Sequence, residues 1–267
     1  MIKLVALGLV LFLTITLTMS LFQNRTIFPT HLVGRAGPLP AGTQRFSVDT
    51  PDGYRLQGVH VPPSRRASQS GLLVLGFAGN AWNSADVATY LSQIYPDADV
   101  VAFHYRGYAP STGSASAEAL LADAPLVLDA AVQRVRPQRT VAVGFSIGSA
   151  VAASLARRSD VDALILVTPF DSLKAVAQGH YPWLPVGVFF REEMNPVESL
   201  KGADTPVALI AGERDTLIPR RHTEALRRKV QNLVYDRTIA GAGHNDIYEM
   251  PEFRQSMREA ITGLNRK

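Results

Sequence analysis

Ser146 stands in Gly144-Phe145-Ser146-Ile147-Gly148, with glycines two residues away on either side. A serine hydroxyl is a weak nucleophile at neutral pH, so acyl chemistry at Ser146 needs a base within hydrogen-bond reach and a carboxylate to orient that base. His244, in Gly241-Ala242-Gly243-His244-Asn245-Asp246, is the candidate base. Asp215, in Gly212-Glu213-Arg214-Asp215-Thr216, is the candidate acid, and Asp171, in Thr168-Pro169-Phe170-Asp171, is its rival and reads as structural. Bland roles compete: His244 as a capping or surface residue, Asp215 as the cap of a helix starting near Pro219. His31, His60 and His222 default to surface roles. His104 and His180 fall nearer the expected site edge, in no metal-ligand spacing.

A Gly-x-Ser-x-Gly match arises by chance in roughly one chain of this length in ten, so its context must carry the argument. Val141–Val143 is a valine-rich apolar run ahead of Gly144, and small residues at helical spacing follow Ser146. Strand, tight turn and helix are what hold such a serine exposed at a sheet's edge. Short apolar runs recur as candidate buried strands at Leu72–Phe77, Val100–Tyr105, Thr140–Phe145, Ala163–Thr168, Val207–Ala211 and Leu233–Ile239. Helical patterns at Ser84–Tyr95, Ala115–Val135 and Ile147–Arg158 lie between them, after an opening hairpin around Pro51-Asp52-Gly53. This alternation predicts an α/β architecture: a mostly parallel, doubly wound sheet with flanking helices, and sites at the carboxyl ends of its strands. Ser146, Asp215 and His244 all follow such ends.

The 267 residues suit one catalytic domain, read as 44–267, after a linker at 26–43 that is broken by prolines and glycines. Leu4 to Phe22 is a nineteen-residue run without charge. At about 1.5 Å per residue it nearly spans a hydrocarbon core of ~30 Å, so residues 1–25 read as a single-pass anchor or an uncleaved signal. Charge leaves the orientation open, and an extracytoplasmic domain is the expected placement. The net charge of +4 comes from scattered pairs such as Arg65-Arg66, Arg157-Arg158 and Arg220-Arg221. These read as solvated faces, or as attraction to anionic lipid, rather than as nucleic-acid contacts. With no cysteine, thiol catalysis and disulfides are excluded.

Together these motifs resemble α/β-hydrolase-fold serine hydrolases, and more narrowly the membrane-anchored α/β-hydrolase-domain proteins with a serine-aminopeptidase-like domain. The resemblance covers Gln44 to the C-terminus, where Ser, Asp and His follow in the order hydrolases of this fold use. Leu75-Gly76-Phe77-Ala78-Gly79-Asn80 stands where the subgroup has His-Gly-Asn-Ala-Gly-Asn, and His104-Tyr105-Arg106-Gly107-Tyr108-Ala109-Pro110-Ser111-Thr112-Gly113 where it has Asp-Tyr-Arg-Gly-Tyr-Gly-x-Ser-x-Gly. Leu75, His104 and Ser149 replace the subgroup's histidine, aspartate and second glycine. The resemblance implies an oxyanion hole from the backbone N–H groups of Phe77 and Ile147, no cofactor, and hydrolysis of an ester, thioester or small amide through an acyl-enzyme. The aromatic, proline-punctuated stretch His180–Phe190 reads as a small lid or as a core-packing helix. A lid and an anchor favour a small-molecule acyl substrate, lipid included. A non-catalytic anchored binding module and an acyltransferase are the alternatives on the same fold.

Overall fold

The computed structural model describes residues 2–65 and 71–264; Arg66 lies outside them. In chain order the elements are α1 (Ile2–Ile27), β1 (Gln44–Asp49), β2 (Arg55–Val61), β3 (Leu72–Phe77), α2 (Ser84–Ile94), β4 (Asp99–Phe103), α3 (Ala117–Val135), β5 (Arg139–Phe145) and α4 (Ile147–Ser154). They continue with β6 (Ala163–Val167), α5 (Leu173–His180), α6 (Val186–Phe189), α7 (Pro196–Leu200), β7 (Val207–Gly212), α8 (Arg220–Arg227), β8 (Leu233–Ile239) and α9 (Pro251–Gly263).

The eight strands among the described residues form one sheet in the order β1-β2-β4-β3-β5-β6-β7-β8. The opening hairpin pairs antiparallel, β2 meets β4 antiparallel, and every later neighbour is parallel. Helices cover both faces of a parallel sheet, which is why its central strands are continuously apolar rather than alternating. Leu73, Val74, Leu75, Val141, Val143 and Ala163 to Val167 are all fully buried. The hairpin's β1, at the sheet edge, instead alternates exposed and half-buried residues. Side-chain caps start the helices: Asn83 accepts from Ala85 N, Ser116 from Ala119 N and Ser172 from Ala175 N.

The N-terminal region differs from its sequence reading. No single helix among the described residues is long and apolar enough to cross a membrane. Ala6–Thr18 and Gln23–Leu32 reach that length and composition only as a pair, inclined at 64°. The transmembrane helix read from Leu4 to Phe22 is therefore not supported. Leu4, Leu7, Val10, Leu11 and Leu17 on α1 are nevertheless exposed apolar side chains. The stretch read as linker also carries a core residue, since Phe28 is buried and Val33, Ala36 and Leu39 pack against the same core.

Candidate active site

At Ser146 the chain passes from β5 into α4 with φ 51° and ψ −117°, a left-handed conformation that costs a non-glycine residue of order 1–3 kcal/mol. The surroundings over-determine it. Ser146 N donates to Val167 O at 2.9 Å, and the Ser146 carbonyl accepts from Ser149 N at 2.9 Å and from Ser149 Oγ at 2.6 Å. Ser149, which replaces the subgroup's glycine, thus helps to hold the turn. The flanking glycines are required sterically: a Cβ on Gly144 would collide with the Gly148 backbone, and one on Gly148 with the carbonyls of Phe77 and Ala78.

Two loops at the same sheet edge bring up the other side chains. Glu213 N donates to Ile239 O at 3.0 Å, Arg214 N to Ala242 O at 2.7 Å and Gly241 N to Glu213 Oε2 at 2.8 Å, so the loops after β7 and β8 are bonded to each other. A Cβ on Gly212 would meet the carbonyls of Ala242 and Gly243 at 2.6 and 2.9 Å, which explains the glycine at that strand end. Asp215 Oδ1 accepts from Ile218 N at 2.7 Å, and Oδ2 lies 2.7 Å from His244 Nδ1. His244 Nε2 lies 2.9 Å from Ser146 Oγ. A carboxylate only accepts, so Nδ1 carries the imidazole proton and Nε2 is left to accept from the serine hydroxyl. Asp215 and His244 are both buried, while Ser146 is half-exposed.

Phe77 ends β3 beside this turn, paired in register with Gly144. Ile147 is the first residue of α4, where a backbone N–H has no partner within its own helix. Asp171, the rival acid, is bonded elsewhere: its Oδ1 lies 2.8 Å from His222 Nδ1 and accepts from Ser172 N at 2.8 Å. His222 departs from its surface reading. It is 5% exposed and its Nε2 is buried with no hydrogen-bond partner among the described residues. The amphipathic pattern of α8 misled, because His222, Thr223 and Leu226 form the face it turns inward. His60 lies 2.6 Å from Asp99, and His180 Nε2 lies 2.8 Å from Leu217 O. His104 is buried at the end of β4; burial first, and Arg45 second, push its pKa down to about 4 against the opposing pull of Asp86. No group of three or more metal-ligating side chains gathers among the described residues.

Sequence reasoning missed an aromatic cluster that braces the site. Trp82 packs edge-on to Phe145 at 5.2 Å between centroids and lies 5.0 Å from Tyr248, while Tyr90 Oη donates to Tyr248 O at 2.7 Å. Phe145 precedes the serine and Tyr248 follows the histidine, so the cluster fixes the two against each other. Its members are separated by most of the chain, and no local spacing reveals it.

Comparison with known proteins agrees with the architecture. Residues 72–185 match the family model described as alpha/beta hydrolase fold. Rv2307c, an uncharacterized protein of Mycobacterium tuberculosis strain H37Rv, is 33% identical over 220 residues, which cover 79% of this chain and 78% of that protein. The lysophosphatidylserine lipase ABHD12 of Danio rerio is 30% identical over 182 residues, covering 57% of this chain and 47% of its own length. Among solved structures, the esterase Pf2001 of Pyrococcus furiosus superposes with a TM-score of 0.68 at 19% identity, covering 86% of this chain and 94% of that one. At that identity the likeness bears on the fold alone.

Proposed function

The chain belongs to the α/β-hydrolase family, and from that premise we propose that it is a serine hydrolase cleaving an ester, thioester or small amide. The observation that carries the reading is the unbroken relay from Asp215 through His244 to Ser146, with contacts of 2.7 and 2.9 Å. His244 Nε2 takes the hydroxyl proton as Ser146 Oγ attacks the carbonyl carbon, and Asp215 stabilises the imidazolium that forms. His244 then gives that proton to the leaving group, which departs with the electrons of the broken bond. Water, deprotonated by the same histidine, releases the acid and restores the serine. The backbone N–H groups of Phe77 and Ile147 are the proposed donors to the oxyanion, worth about 2.7–4 kcal/mol each in comparable sites.

An acyl substrate, lipid included, is favoured by the apolar cap around α6 and by the exposed leucines of α1. A sequence relative named as a lipase points the same way. On this reading residues 44–267 are the catalytic unit, and α1 holds it at a membrane through its apolar face, with the domain extracytoplasmic. Turnover of a p-nitrophenyl ester series by the full chain in detergent tests the activity: wild type hydrolyses and Ser146→Ala does not. Folded wild type that turns over no ester contradicts it.

A further inference from the structure

The last turns of α1 are fastened to the catalytic domain by polar contacts on one side of the helix. Gln23, Asn24, Ile27 and Phe28 stand three and four residues apart in pairs, the spacing at which helical residues share a face. Gln23 donates to Phe189 O at 3.1 Å and accepts from Arg191 N at 2.9 Å. Asn24 Nδ2 donates to Ala115 O at 2.6 Å and to Glu192 Oε1 at 3.2 Å. Glu192 is buried, and its other oxygen accepts at 2.7 Å from the N–H of Ala117, the first residue of α3. Phe28 enters the core. The Ile27 carbonyl, in the last turn where the helix itself offers no donor, accepts from Asn80 Nδ2 across 53 positions of sequence.

Asn80 ends the segment that begins with Phe77, whose N–H is one of the two proposed oxyanion donors. The backbone between them is held at successive residues. Gly148 of the elbow lies so close to the carbonyls of Phe77 and Ala78 that no Cβ fits there. Tyr105 Oη donates to Ala78 O at 2.9 Å. A Cβ built on Gly79 would lie 3.7 Å from Phe145 O and 3.8 Å from Ser146 Cβ. Asn80 Oδ1 accepts from Tyr108 Oη at 2.7 Å, so both ends of its amide are bonded. Tyr105 and Tyr108 are buried and pack edge-on at 5.8 Å between centroids. The far end of the segment is thus tied on one side to the core of the domain and on the other to α1.

Resting on the serine-hydrolase reading, we propose that Asn80 is a positioning residue for the oxyanion hole, and that the seated end of α1 acts on turnover by holding Asn80 through the Ile27 carbonyl. A backbone N–H cannot be aimed by its own side chain, so its neighbours along the loop must aim it. The aim matters because a donor stabilises the oxyanion only from hydrogen-bond distance, and a misplacement of about 1 Å at a reacting centre costs on the order of 100-fold. With Asn80 released, Tyr105 still holds Ala78 and the substrate still binds. The tetrahedral intermediate alone loses stabilisation, so kcat falls while KM stays. The N-terminal helix is then part of the catalytic machinery as well as an attachment.

Two readouts on the full chain in detergent test this. In the first, active sites are counted by fluorophosphonate labelling to completion, and p-nitrophenyl butanoate kinetics are expressed per labelled site. Asn80→Ala is expected to lower kcat about ten-fold or more with KM within about three-fold, and Asn24→Ala, which loosens α1 far from the serine, to lower it several-fold. The double variant is expected to be no slower than Asn80→Ala, because the two act through one path. A merely structural role would lower the labelled fraction and leave kcat per site unchanged. In the second readout, amide hydrogen exchange over residues 77–82 follows the loop without any catalysis. Asn24→Ala and Asn80→Ala are each expected to speed it, and Arg25→Ala, on an exposed position of the same turn, to leave it unchanged. A kcat per labelled site within about two-fold of wild type in Asn80→Ala, or additive losses in the double variant, overturns the coupling and leaves the hydrolase reading standing. Folded wild type that turns over no ester ends the hydrolase reading; the exchange of Asn24→Ala then decides by itself whether α1 holds the loop, faster exchange supporting the tie and unchanged exchange overturning it.

Discussion

Two carboxylate–imidazole pairs of nearly equal geometry, each with a buried imidazole, have opposite surroundings. Asp215 and His244 are 2.7 Å apart, Asp171 and His222 2.8 Å, and in each pair the acid follows a strand of the parallel sheet. In the first, the distal nitrogen reaches Ser146 Oγ at 2.9 Å; in the second, it is buried with no hydrogen-bond partner among the described residues. An aspartate and a histidine in contact do not make a catalytic base. The difference lies in the elbow, because the strained turn between Gly144 and Gly148 carries a hydroxyl to one imidazole and nothing comparable is carried to the other. His222 instead ties the strand-end loop of Asp171 to α8, assisted by Thr223 Oγ1 donating to Pro169 O at 2.8 Å.

This contrast orders the expected effects of mutation. The largest belong to the first pair's partner and base: Ser146→Ala and His244→Ala are each expected to lower kcat by about 10⁴-fold or more in ester hydrolysis, whereas His222→Ala leaves kcat within about ten-fold among correctly folded molecules. Next come the two acids. Asp215→Asn is expected to cost up to about 10⁴-fold in kcat by allowing the wrong imidazole tautomer, and Asp171→Asn to cost no more than a few-fold. Equal losses in the two variants would erase the distinction between the pairs.

Stability is expected to reverse the asymmetry in kind. Asp171→Asn weakens a charge-assisted contact to a buried ring, and a loss of about 1–3 kcal/mol in denaturant unfolding is expected while the active serine still labels. A separate effect, on the pH dependence of stability, comes from a third buried imidazole, His104, whose pKa is about 4 in the fold against an ordinary value near 6.5. A folded-state pKa below the unfolded one means that protons favour unfolding. The stability is complete above pH 6.5 and is lost as pH falls toward 4, by about 3 kcal/mol at most. Urea midpoints measured from pH 7 to 4 on wild type and His104→Asn should converge or cross in that window; parallel curves would show that His104 does not titrate there.

Much of this contrast was legible in the sequence. The serine turn could be read because glycine spacing, an apolar run and a small-residue helix are all local. The loops of Asp215 and His244 could be read for the same reason, since each follows an apolar run and Gly241-Ala242-Gly243 lets the ring of His244 come close to another loop. His222 was not legible, since one polar residue in a basic helix gives no sign that α8 turns it toward Asp171, 51 positions earlier. The role of α1 was half legible. Its apolar run was plain, but its bend at 64° and the seam from Gln23 to Phe189 and Arg191 are tertiary facts. Likewise Phe28 sits in a proline-rich stretch that reads as linker, yet packs into the core.

The most direct test of the central claim is the rate of fluorophosphonate labelling, with the adduct mapped by mass spectrometry, in wild type, Asp215→Asn and Asp171→Asn side by side. The account predicts one adduct, on Ser146, formed at nearly wild-type rate in Asp171→Asn and slowed about a thousand-fold or more in Asp215→Asn. An adduct on another residue, no adduct on folded wild-type protein, or a collapse in Asp171→Asn with Asp215→Asn unaffected would contradict it.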